Sequence, residues 1–332
     1  MPDTVALLFL VDWNVRSLAD TAVPLVSGRV VVGPASGGQL KTLISHERMP
    51  DGIAIVMDDS HGKRGRIYWT QMGRPGFNDG LVQSAKLDGS DIRTLYDFGE
   101  IHTPNQIIFD PIAQKLYVAD KDGMRIHQSN TDGTEKEVMV ELGDWTEETQ
   151  IKDESLHCVG VALDCVHSLI YWVQKVPGSN DKGRIFRAGI NLPAGESAES
   201  RQDVQLLFDK IPLPIDLAID PRSETLFWTD QGDATRGSRL NRACLFTCPR
   251  QSVRSPAVVN YDSVATRLPE AIGMLIYHQE KRIFVTDVSG SVHSFDMDGQ
   301  DRRKLFEGQG EFNGIALANI DRAVARRLCA SA

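Results

Sequence analysis

Six short stretches share one place in a recurring turn: "PDG" (50–52), "PNQ" (104–106), "CVG" (158–160), "PID" (214–216), "AIG" (271–273) and "FNG" (312–314). Their middle residues are Asp51, Asn105, Val159, Ile215, Ile272 and Asn313. Three are polar, a carboxyl and two amides, and can hold a ligand by hydrogen bonds or move a proton. The other three are apolar. Beside them lie His102, Gln106, His157, Asp216, Glu270 and Phe312. A histidine titrates near neutrality, and a carboxyl against apolar walls is pushed up toward the range useful for proton transfer. Asp51, His102 and His157 are therefore the candidate acid–base groups. Asn105, Asn313, Val159, Ile215, Ile272 and Phe312 are the candidate ligand-binding residues. Asp and Asn also favour turns on backbone grounds alone. That reading does not require the three polar residues to fall in neighbouring units, as they do here.

The units that must position these residues are visible in six related pentapeptides. They are "LFLVD" (8–12), "IYWTQ" (67–71), "LYVAD" (116–120), "IYWVQ" (170–174), "LFWTD" (226–230) and "IFVTD" (283–287). Each is β-branched and aromatic, as a buried strand should be. An apolar run opened by the turn precedes five of the six. A third strand follows, in three units ending at an Asp-Gly turn: "LDGS", "TDGT" and "MDGQ". The unit is four strands over roughly 40–55 residues, the period of propeller blades. "FNGIALANI" (312–320) is a first strand with no second strand after it, while the chain opens on "ALLFLVDWN", a second strand. The fold expected is all-β: a six-bladed β-propeller of four-stranded antiparallel blades forming a single domain over residues 1–332. Residues 5–45 plus 312–320 form the closing blade, and the others cover about 49–100, 103–142, 156–211, 213–268 and 270–308. Asp12, Gln71, Asp120, Gln174, Asp230 and Asp287, which end the pentapeptides, recur in every unit and read as structural acceptors.

In a propeller the inner-strand starts and the loops between second and third strands share one face. The stretches 13–27, 72–79, 175–183 and 231–238, with the crossover 141–155, are longer than the fold requires. Trp13, Phe77 and Trp145 are aromatic in these mostly polar loops and are candidate cavity walls or loop anchors.

Composition narrows the partners. A net charge of −9 argues against nucleic acid and anionic membrane. No apolar run is long enough to span a bilayer. The short apolar run near the start has no basic segment before it and does not read as a signal peptide. The five cysteines are odd in number, with C-x3-C at 244–248 a poor zinc spacing, and no N-x-[ST] sequon occurs. A cytoplasmic protein with reduced thiols is expected. G-x-S-x-G, H-E-x-x-H, P-loop and dinucleotide motifs are absent, so no organic cofactor is expected. Nor is a metal, because three oxygens with one carboxylate make a weak Ca²⁺ site.

The pentapeptides resemble the YWTD repeats of the LDL-receptor propeller class, and the likeness covers almost the whole chain. Receptors of that class are secreted and carry disulfide-rich modules, which these 332 residues do not contain, so a receptor role is not expected. In architecture the chain also resembles the cofactor-independent hetero-Diels–Alderases of fungal natural-product pathways. That resemblance implies a hydrophobic small-molecule substrate. The polar half would hold a tropolone and assist its loss of water to a quinone methide, and the apolar half would fold a humulene-type sesquiterpene against it. Two other readings stand beside it. One is a non-catalytic binding propeller. The other is a metal-dependent hydrolase like the gluconolactonases, whose ligands come from the turn position held here by Asp51, Asn105 and Asn313.

Overall fold

The computed structural model describes residues 3–13, 26–174, 183–233, 237–245 and 261–330. They form six four-stranded antiparallel sheets in a ring, numbered here I to VI as blades. The inner strands are Pro50–Met57 (I), Pro104–Asp110 (II), Cys158–Asp164 (III), Pro214–Asp220 (IV), Ala271–Tyr277 (V) and Phe312–Asp321 (VI). In blade VI the inner strand pairs with Thr4–Asp12, followed by Gly28–Pro34 and Lys41–Glu47. The register sets Leu8 opposite Leu317 and Leu10 opposite Ile315. Both ends of the chain thus share one blade, which removes the exposed edge an open ring would carry.

The core lies between blades rather than within one. Leu7, Phe9 and Val11 of blade VI pack with Ile53, Ile67 and Trp69 of blade I, and Val159 and Tyr171 of blade III pack with Leu217 and Trp228 of blade IV. Trp69, Trp172 and Trp228, from three of the pentapeptides, are fully buried. The Trp69 indole N–H donates to Glu47 Oε2 at 2.7 Å, tying blade I to the outer strand of blade VI.

Three of the residues that end the pentapeptides accept bonds that fix where the chain turns into an inner strand. Asp12 Oδ1 accepts from the Glu311 N–H at 2.8 Å, Asp120 Oδ1 from the Thr103 N–H at 2.7 Å, and Gln71 Oε1 from the Arg48 N–H at 2.8 Å. Each donor lies just ahead of an inner strand. Behind blade VI, a helix Arg322–Cys329 is capped by Asp321 and buries Ala325 and Leu328.

Removing residues 1–12 deletes the second strand of blade VI and exposes Ile315, Leu317 and the apolar face of blade I. The truncated chain is expected to lose its cooperative thermal transition, followed by circular dichroism. An unchanged melting temperature would show that the ring does not depend on this closure.

Candidate functional site

Each inner strand enters the ring through a β-bulge. The register breaks between Pro50 and Ile53, Pro104 and Ile107, Cys158 and Val161, Pro214 and Leu217, and Ala271 and Met274, with the matching shift at Leu10/Asp12 in blade VI. A bulge interrupts the two-residue alternation of a strand, so consecutive residues can face the same side. Three N–H groups freed in this way are taken by threonines of the pentapeptides. Gly52 donates to Thr70 Oγ1 at 2.8 Å, Asp216 to Thr229 at 3.2 Å and Gly273 to Thr286 at 2.9 Å. The same hydroxyls donate onward to the carbonyls of Asn105 (2.5 Å), Ile272 (2.8 Å) and Asn313 (2.5 Å) in the next blade. The backbone of three candidate residues is therefore fixed by a side chain of the repeat itself.

In four blades the bulge ends on glycine because the neighbouring inner strand leaves no room. A Cβ on Gly52 would lie 2.5 Å from the Asn105 carbonyl oxygen, and one on Gly160 2.7 Å from that of Ile215. On Gly273 and Gly314 the distances to the carbonyls of Asn313 and Asp51 would be 2.1 and 2.3 Å. Blades II and IV carry Gln106 and Asp216 at this position instead.

Above the ring lies a cavity of about 530 Å³. Of the residues expected there, it brings together Trp13, Asp51, Asn105, His157, Val159, Ile215, Ile272 and Asn313. Three others lie off its lining. Phe312 is fully buried between blades V and VI, against Leu10, Phe284 and Phe306. Phe77 is half exposed at a loop tip beneath the Arg74 guanidinium, 4.1 Å from its ring centre. His102 is turned into a packed site, its Nδ1 2.9 Å from Thr103 Oγ1 and its ring edge-on to Trp145, and burial lowers its pKa. Much of the long loops, residues 14–25, 175–182 and 234–236, lies outside the described residues.

The cavity also takes in residues that were given no role from the sequence: Met49, Met72, Gln106, Lys121, Asp122 and Asp216. Asp216 matters most. It is 3% exposed; Oδ1 accepts from the Leu217 N–H at 2.9 Å and Oδ2 from the Met274 N–H of blade V at 2.8 Å. Burial pushes its carboxyl up to about 7. The backbone bond from Met274 and the nearby Gln106 amide oppose this, and the negative charge of Asp51 adds to it. The signal for Asp216 was present in the sequence as a non-glycine at a position that is glycine in four blades.

The remaining polar groups form two pairs. Asn313 Nδ2 donates to Asp51 Oδ1 at 2.9 Å. On the other side, His157 Nε2–H donates to the Ile151 carbonyl at 3.0 Å, which leaves Nδ1 facing Asp122 Oδ1 at 3.7 Å. Burial alone would raise the Asp122 carboxyl, but Lys121 at 2.7 Å, the Thr103 hydroxyl at 2.8 Å and His157 hold it below the usual carboxylate range.

The fold and the repeat define the YWTD class of six-bladed propellers. No known protein-family model matches the chain. Low-density lipoprotein receptor-related protein 1 of Pyricularia oryzae is 35% identical over 315 residues, covering 93% of this chain and 97% of that protein. The chain belongs to its family. It is also 32% identical over 314 residues to the 3-hydroxyacyl-CoA dehydrogenase-like protein LAM1 of Cochliobolus heterostrophus, of which it spans 64%. Among solved structures, a chain of the nidogen/laminin complex superposes with a TM-score of 0.66 at 17% identity, over 95% of this chain and 98% of that one. A gluconolactonase of Xanthomonas campestris does so with a TM-score of 0.54 at 16% identity, over 80% and 78%. At these identities the two structures share the fold alone.

Asp216 ties stability to pH. Its folded pKa lies above the unfolded one, so its contribution is complete below about pH 4 and is lost as pH rises through about 7. Asp216→Asn removes that loss. Relative to the parent, the variant is expected to gain on the order of 4 kcal/mol between about pH 4 and about pH 8 in urea unfolding. A parent–variant difference that stays constant with pH would show that Asp216 ionises normally.

Proposed function

We propose that the chain is an enzyme that converts a hydrophobic small molecule in this cavity, with Asp216 as the proton-transfer group and no organic cofactor. One observation carries the reading: a carboxyl poised near neutrality lies in a cavity walled on one side by Val159, Ile215 and Ile272. A group whose pKa matches the working pH both gives and takes a proton efficiently. The charge of Asp51 close by separates the two carboxyls into an acid and a base, as paired carboxyls do in other active sites.

In its most specific form the reaction is a hetero-Diels–Alder closure. Protonated Asp216 gives its proton to the hydroxyl leaving a hydroxymethyl tropolone, which departs as water. Asp51 takes the proton of the ring hydroxyl, and the substrate becomes a neutral quinone methide. Its oxygen and exocyclic carbon then bond to the two carbons of a humulene-type alkene. This step needs orientation rather than further proton transfer, and the apolar wall supplies it. A cytoplasmic location accords with Cys158, Cys165 and Cys329 as free thiols.

The name of the Cochliobolus relative invites an acyl-CoA reading, but a cavity lined by Asp51, Asp122, Glu154 and Asp216 suits a polyanion poorly. The lactonase-like reading asks Asp51, Asn105 and Asn313 to hold a cation. Asn313, however, turns its amide N–H rather than its oxygen toward Asp51 Oδ1, at 2.9 Å.

With a hydroxymethyl tropolone and a humulene-type alcohol as substrates, Asp216→Asn is expected to lower turnover by roughly 10²–10⁴-fold. It should also remove the limb of the pH profile near 7. Ile215→Ala should slow closure by loosening the apolar wall, and chelation with EDTA should leave turnover unchanged. Parent-like turnover in Asp216→Asn would remove the acid–base role, and no turnover by the parent would favour the non-catalytic binding propeller.

A further inference from the structure

We infer that the cavity selects electrically neutral ligands that present hydroxyl groups as hydrogen-bond donors, and that it rejects anions. The inference rests on the reading that this cavity is the ligand site.

The carbonyls of Asn105, Ile272 and Asn313 already accept from Thr70, Thr229 and Thr286. The side chains are different. Asn313 gives its amide N–H to Asp51, and its Oδ1 has no hydrogen-bond partner among the described residues. Asn105 Oδ1 is in the same position. Both residues are more than nine-tenths buried and both belong to the cavity lining. Buried amide oxygens are nearly always paired, so two orphans in one wall mark where donors are missing.

Charge supplies the second, independent line. The described lining carries four carboxyl groups, Asp51, Asp122, Glu154 and Asp216, against two basic groups, Lys121 and His157. Lys121 is committed to Asp122 at 2.7 Å, and the His157 Nε2–H to the Ile151 carbonyl. An anionic ligand would meet repulsion with no uncommitted cation in the described lining to offset it, in a half-enclosed space where water screens poorly. A neutral hydroxyl compound instead brings donors to a wall of acceptors. Its carbon skeleton faces Met49, Met72, Val159, Ile215 and Ile272.

Three matched probes separate these effects by calorimetry near neutral pH: 2,3-dihydroxynaphthalene, its dimethyl ether, and 3-hydroxy-2-naphthoate. The diol is expected to bind one per chain. The ether, which keeps the ring and loses the donors, should bind about 10-fold more weakly, and the naphthoate about 100-fold more weakly. Asn105→Ala should bring the diol-to-ether ratio toward one without changing the affinity of the ether. Glu154→Gln, a change at an exposed side chain that leaves the fold alone, should recover part of the naphthoate binding. An ether that binds as well as the diol, a naphthoate that binds best, or no binding of the diol would each overturn the inference. So would one-to-one binding of CaCl₂ that Asn105→Ala abolishes, because the two oxygens would then be cation ligands. Probe selectivity lost while Asp216-dependent turnover persists would remove this inference alone. Selectivity retained without Asp216-dependent turnover would remove the catalytic reading alone.

Discussion

Six inner strands converge on one axis, and at four of them there is room for nothing larger than glycine. A Cβ on Gly273 would sit 2.1 Å from the Asn313 carbonyl, a separation no relaxed side chain tolerates. This crowding explains several features together. It forces a bulge at each strand entry, strips backbone N–H groups of ladder partners, and makes a threonine in the adjacent strand valuable as a bridge. Thr70, Thr229 and Thr286 both accept from one blade and donate to the next. The Thr of the repeat is thus a joint between blades, and the residues whose carbonyls it holds are those that line the cavity.

Against that constraint, Gln106 and Asp216 stand out. Each stands where the crowding elsewhere demands glycine, and each folds back so that its side-chain oxygen meets the next backbone N–H, that of Ile107 at 3.3 Å and of Leu217 at 2.9 Å. The Gln106 amide is also close enough to Asp216 to oppose the rise in its pKa. Burying a carboxyl here costs stability when it ionises, and the same burial raises its pKa to about 7. Structural positions in this chain repeat around the ring, and the position proposed here as the acid–base group departs from the repeat. Asp12, Asp120 and Asp287 recur and bond backbone, whereas Asp216 is the one carboxyl at its position in the six blades.

The sequence disclosed the fold because its signal is redundant. The pentapeptide occurs six times, so the closing blade is legible even though its strands lie at opposite ends of the chain. One residue per blade, the middle of each turn, was legible for the same reason, and all six of those positions line the cavity. Other positions failed for local physical reasons. Phe312 precedes Asn313 by one residue and faces the neighbouring blade, where it fills the core. His102 belongs to the segment that Asp120 pins, and its ring is trapped beneath Trp145. Asp216 sits next to an apolar residue in a strand, where alternation would turn it away from the cavity. The bulge cancels that alternation, and only the close packing of Met274 and Gln106 around it reveals how far burial shifts its carboxyl.

The central claim is that Asp216 holds its proton into the neutral range while lining an open cavity. Carbon-13 NMR of the Asp216 side-chain carboxyl, assigned by its disappearance in Asp216→Asn, measures this directly. The account predicts a titration midpoint near 7 that moves when a hydroxylated ligand occupies the cavity. A midpoint in the ordinary aspartate range near 4, indifferent to ligand, would contradict it.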